Sequence, residues 1–172
     1  MKNKNLSFMT QAAMIAAIYV VLTYIFAPFS FGEVQVRISE ALTILPIFTP
    51  AAIPGLFVGC LIGNILGGAI LPDIVFGSIA TLIGAFFTWK LREQKPVVAT
   101  FPPIISNIII VPFVLRYGYG VTLPIPFMML TVGIGEVISC TVLGLIVYGA
   151  LKKYKSTLFR TCLLYTSDAA DE

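Results

Sequence analysis

From Leu6 to Ala27 no side chain carries a charge, and an uncharged run of that length has few places to go in a soluble fold. An α-helix rises about 1.5 Å per residue, so roughly 20 residues cross the roughly 30 Å hydrocarbon core of a bilayer. Lys2 and Lys4 precede the run as they would in a secretion signal, but its length exceeds the roughly 7–15 residue apolar core of a signal. It is expected to remain as a membrane helix. The rest of the chain repeats the theme, with 58% hydrophobic and 11% charged residues, against about 45–50% and about 25% in a soluble domain. The sequence therefore predicts an all-α integral membrane protein of about six spans: Leu6–Ala27, Ile38–Ile53, Gly55–Leu71, Ile74–Trp89, Val97–Leu115 and Leu123–Leu151. The second is expected to be short or kinked, because Pro46 and Pro50 interrupt it and proline removes a helical hydrogen bond.

Charge gives the topology. Nine of the eleven Lys and Arg fall in three places: Lys2 and Lys4; Lys90, Arg92 and Lys95; Lys152, Lys153, Lys155 and Arg160. Cytoplasmic loops concentrate such residues, and an even number of spans puts all three places on one side. Both termini are thus expected in the cytoplasm, and the net charge of +3 reflects membrane orientation rather than a nucleic-acid partner. Residues 1–160 read as a single transmembrane domain. Residues 161–172 (TCLLYTSDAADE) turn abruptly small and acidic and are expected to be a non-native or disordered tail.

Polar residues inside an apolar chain are the candidates for function. Arg37 and Glu40 open the stretch Arg37–Pro54, at the threshold of the second span. A carboxylate in a first helical turn is favoured by the helix dipole, Ser39 is a candidate cap, and Arg37 can pair with Glu40, so this cluster has a structural reading beside the functional one. Glu136 lies deep in the last span, with Gly133 and Gly135 beside it. An ionisable group at such depth faces a partner, a cavity or a solute path. Asn64 and Asn107 sit within spans, where an unpaired amide is costly. Asp73 is placed to cap the fourth span.

Two small-residue stripes bear on packing. Gly55, Gly59, Gly63 and Gly67 recur every four residues, which allows close approach by a neighbouring backbone or a flat ligand. Ala12, Ala13, Ala16 and Ala17 stripe the first span, and such a face packs either within the protein or against a subunit.

Several chemistries are excluded. The chain has no histidine, and its cysteines, Cys60, Cys140 and Cys162, suit neither a disulfide framework nor a metal site. No metal or cofactor is expected. No G-x-x-x-x-G-K-[ST] phosphate loop occurs, so the chain does not itself hydrolyse ATP, and no catalytic constellation stands out. Solute binding, not catalysis, fits this inventory.

Four longer motifs carry a resemblance beyond these inferences. They are F-x-x-x-Q-x-R-I-S-E-A-L-T-x-L-P from Phe31, PAAIPGLFVGCLIGN from Pro50, DIVFGSIATL from Asp73 and TVGIGE from Thr131. With the alanine-striped first span, they resemble the queuosine-precursor transporter family, QueT, over most of residues 6–152. The resemblance implies an S component, the substrate-binding subunit of an energy-coupling factor (ECF) importer in the cytoplasmic membrane. Its partners would be a transmembrane scaffold and two cytoplasmic ATPases, with Ala12, Ala13, Ala16 and Ala17 docking to the scaffold. The implied solute is a 7-deazaguanine such as preQ0 or preQ1. Glu136, Glu40, Arg37, Asn64, Asn107 and Asp73 are the residues expected to bind it, with stacking from Phe29, Phe31, Tyr117 or Tyr119. The competing expectation is a stand-alone proton-coupled permease with Glu136 as proton carrier; a transmembrane enzyme comes third.

Overall fold

A computed structural model of the chain describes residues 2–26 and 36–154. The loop aromatics Phe29 and Phe31 and the segment 161–172 lie outside the described residues. Six helices form one bundle: α1 (Lys2–Ile25), α2 (Ile38–Ile47), α3 (Ala52–Leu66), α4 (Leu71–Lys90), α5 (Pro96–Gly118) and α6 (Ile125–Lys152). Four of them, α1, α4, α5 and α6, are long and apolar enough to cross a membrane. Of the six expected spans, α2 and α3 are the two that fall short of that length, and α2 is the one expected to be short or kinked. The α2 segment is a 3-10 helix of 10 residues with Pro46 inside it, about 20 Å long at roughly 2 Å per residue. The α3 segment is a 15-residue α-helix, about 22 Å long. Neither spans the hydrocarbon core alone, and α2 is enclosed by its neighbours, with every residue from Ser39 to Pro46 buried.

The distribution of polarity is the reverse of a soluble protein's. Ile18, Val21, Ile62, Phe76, Phe86 and Ile146 are exposed, whereas Arg37, Glu40, Asn64, Asp73, Asn107 and Glu136 are buried. Apolar outside and polar inside is stable when the solvent is lipid, which rewards no exposed polar group.

The glycine stripe of α3 packs against α1. A Cβ added to Gly55 would lie 2.7 Å from the Ala12 carbonyl oxygen, and one on Gly59 would lie 2.8 Å from the Tyr19 Cβ. Gly63 faces Thr23 at 3.2 Å, while Gly67 is the C-cap. The stripe thus serves helix packing and brings Tyr19 up to the interior. Gly55→Leu should force α1 outward and destabilise the purified protein by about 1–3 kcal/mol or more, read as a lower unfolding temperature. Gly149→Leu, placed where a Cβ meets nothing within 4 Å, should leave that temperature unchanged.

α5 and α6 both depart from regular α-helix. Residues Val114–Gly118 and Val137–Leu143 are π-helical, a wider turn that occurs often at functional positions. The second begins directly after Glu136.

Candidate functional site

All six helices contribute polar side chains to one buried cluster. At its loop end, α4 begins at Leu71 with Pro72 in the first turn, where proline's missing N–H costs nothing. Asp73 is buried in that turn but caps nothing: the N-cap residue is Ile70, with no side-chain cap bond. Its carboxylate instead accepts from Arg37 Nη2 at 3.3 and 3.4 Å and from the Tyr119 hydroxyl at 3.0 Å. The capping role expected for Asp73 is therefore replaced by a tertiary ion pair. Ser39 is likewise not a cap. The N-cap of α2 is Arg37, without a side-chain cap bond, and the Ser39 hydroxyl accepts from Thr23 at 2.9 Å.

Tyr119 lies in the loop between α5 and α6 and joins that loop to the cluster. Its hydroxyl also accepts from the Ile70 amide at 3.4 Å. Burial, and then the neighbouring Asp73 carboxylate, push the phenol above its usual range, so the proton it donates is retained well into alkaline solution. Tyr117, by contrast, is exposed and stacks on Phe113.

Asn64 lies under the ion pair, donating to the Asp73 carbonyl oxygen at 3.4 Å and towards Cys60 Sγ at 3.6 Å. Gly77 leaves room for this assembly. A Cβ there would sit 3.0 Å from Asp73 Oδ1, 3.3 Å from Asn64 Nδ2 and 3.7 Å from Arg37 Nη1.

Deeper in the bundle two carboxyl groups meet. Glu40, in the first turn of α2 as expected, accepts at Oε1 from the Tyr19 hydroxyl and from Thr81 Oγ1, the latter at 3.4 Å. Glu136, on α6, accepts from the Cys140 thiol at 3.2 Å and is hydrogen-bonded by Asn107 of α5. Ligand atoms of Glu40, Glu136 and Cys140 lie within 4.8 Å of one another. Thr43 ties the two sides together, donating to the Glu40 carbonyl oxygen at 2.6 Å and towards Cys140 Sγ at 3.5 Å. Glu40 Oε2 and Ser139 Oγ are buried with no hydrogen-bond partner among the described residues, and such atoms are costly unless something arrives to satisfy them.

The residues singled out in the sequence thus fall in two neighbouring groups: Arg37, Asp73 and Asn64 in one, Glu40, Glu136 and Asn107 in the other. Tyr19, Thr43, Cys60, Thr81 and Cys140 were not foreseen as members. A usable signal was present, because Tyr19 and Thr23, Cys60 and Asn64, Asp73, Gly77 and Thr81, and Glu136 and Cys140 recur at a four-residue step, which keeps them on one helix face. The alanine stripe of α1 divides. Ala12 and Ala16 face Gly55 and Gly59, while Ala13 and Ala17 are exposed.

The family profile of the QueT transporter matches residues 9–153. The chain belongs to the QueT transporter family. The QueT match takes in every member of the buried cluster, from Tyr19 on α1 to Cys140 on α6. A protein named queuosine precursor transporter QueT, from Lactococcus lactis subsp. cremoris (strain MG1363), is 33% identical over 84 residues, which is 48% of this chain and 48% of that protein. The similarity therefore spans about half the length of that QueT relative. No solved structure matches the chain.

Proposed function

We propose that this membrane-embedded QueT protein is the substrate-binding subunit of an ATP-driven importer and captures a queuosine precursor of the 7-deazaguanine class from outside the cell. The observation that carries the reading is the buried cluster, in which Glu40, Glu136, Arg37, Asp73, Asn64 and Asn107 converge inside an otherwise apolar bundle. A guanine-like edge presents an acceptor oxygen beside N–H donors. Carboxylates take the donors, and amide or guanidinium groups serve the acceptor. The name of the Lactococcus relative points to the same solute.

In this reading the QueT chain binds and separate subunits supply the energy. The chain carries no phosphate-binding loop, so ATP hydrolysis belongs to two cytoplasmic ATPases acting through a transmembrane scaffold. The exposed Ala13 and Ala17 are the positions of the α1 stripe available to that scaffold. Both termini lie in the cytoplasm with the loop around Lys90, Arg92 and Lys95, and the Gly118–Val121 loop faces outward. Affinity purification from the native membrane should bring down an ATPase pair, and uptake should follow ATP. Uptake that collapses with the proton gradient and ignores ATP would favour a stand-alone permease instead. Single cysteines at Gly118 and Gln94 test the orientation: an impermeant reagent should label the first in sealed cells and not the second.

A further inference from the structure

The charges of the buried cluster do not balance. Among the described residues the buried ionisable groups of opposite sign are one guanidinium, Arg37, and three carboxyl groups, Glu40, Asp73 and Glu136. Arg37 is held by Asp73 at 3.3 Å. That leaves Glu40 and Glu136 with carboxylate atoms within 4.8 Å of each other, enclosed by Tyr19, Thr81, Thr43 and Cys140. Two ionised carboxylates this close in a water-poor interior repel each other unless a proton or a cation stands between them. Glu40 directs one oxygen, Oε1, to Tyr19 and Thr81. Its other oxygen, Oε2, is fully buried and has no hydrogen-bond partner among the described residues.

We infer that this free oxygen and the Glu136 carboxylate form a cation subsite, and that it takes a protonated amine carried by the solute. The inference rests on the proposed binding function and sharpens it. Of two solutes with the same ring, the one bearing an ammonium supplies the missing positive charge, and a neutral one leaves that place to a proton. An ammonium offers three N–H donors and no acceptor, which matches a wall of carboxylate oxygens with one oxygen still unserved. Tyr19 and Thr81 are positioning residues here, since they hold Glu40 Oε1 and so leave Oε2 for the solute.

The experiment compares two 7-deazaguanines, one with a 7-aminomethyl group and one with a 7-cyano group, by calorimetric titration of the purified full chain. A charge-assisted hydrogen bond predicts that the amine binds at least about tenfold tighter than the nitrile. In Glu40→Gln that preference should fall towards parity, and an unfolding temperature close to the wild type's separates loss of the subsite from loss of the fold; an undiminished preference in this variant would overturn the subsite. Equal affinity of the wild-type protein for both ligands would overturn the cation subsite and leave the binding function standing. Binding of neither would overturn both. Stoichiometric uptake of zinc by the ligand-free protein, abolished in Cys140→Ser, would overturn the inference in another way, because the carboxylates would then belong to a metal.

Discussion

Cutting Asp73 back to alanine should cost the fold about 3–5 kcal/mol, the loss expected when one partner of a buried ion pair is removed and the other stays charged. Asp73 is only 1% exposed and Arg37 4%, so water does not replace the lost carboxylate. The same carboxylate holds the Tyr119 hydroxyl at 3.0 Å, so Asp73→Ala also frees the loop after α5 from the start of α4. Tyr119→Phe should show how much of the effect belongs to the loop, with a loss of about 0.5–1.5 kcal/mol for one hydrogen bond. The double variant Arg37→Met/Asp73→Leu should recover much of the stability, since well-packed apolar replacements of a buried pair are often neutral or better. Thermal unfolding in detergent gives the order: wild type and double variant highest, Tyr119→Phe next, Asp73→Ala lowest. If Asp73→Ala unfolds with the wild type, the ion pair does not hold the loop end of the bundle.

The second large effect falls on uptake. Ala13→Leu and Ala17→Leu should abolish transport in cells while leaving solute binding to the purified chain intact, because both side chains are exposed and lie off the helix face that carries Tyr19 to Glu40. A close contact between small-residue helix faces in a membrane tolerates no added bulk. Ala12→Leu and Ala16→Leu should behave differently. Gly55 and Gly59 press on those two residues, and a Cβ on Gly59 would come within 3.1 Å of the Ala16 Cα. These variants should lose stability and binding together. Normal uptake in Ala13→Leu and Ala17→Leu would exclude that face from coupling to a partner.

Much of this was legible along the chain, for reasons that differ by element. The glycine stripe could be read as a close helix contact because one helix face suffices to define it, and α1 proved to be the partner. The alanine stripe could be read only in part, since sequence does not say that Ala12 and Ala16 turn inward while Ala13 and Ala17 turn out. Glu40, Glu136, Asn64 and Asn107 stood out because polar groups are scarce in an apolar chain. The role of Asp73 was misread from its neighbours. Its position invites a local cap, but the carboxylate is taken instead by Arg37, 36 residues away in sequence, and by Tyr119. That α2 would be short was legible from Pro46 and Pro50, but its 3-10 geometry was not. Hydropathy sees an apolar run, whereas the fold draws it into a short 3-10 helix that carries Glu40 into the interior.

The central claim is that the paired carboxylates receive the solute, and titration of Glu136→Gln tests it most directly. Glu136 is 3% exposed and bonded by Cys140 and Asn107, so the amide fits the same space while turning one acceptor into a donor. With about 1.5–3 kcal/mol at stake in a charge-assisted bond, affinity for 7-aminomethyl-7-deazaguanine should fall at least about tenfold in a protein that still enters the membrane and purifies as the wild type does. Unchanged affinity in that variant would contradict the account.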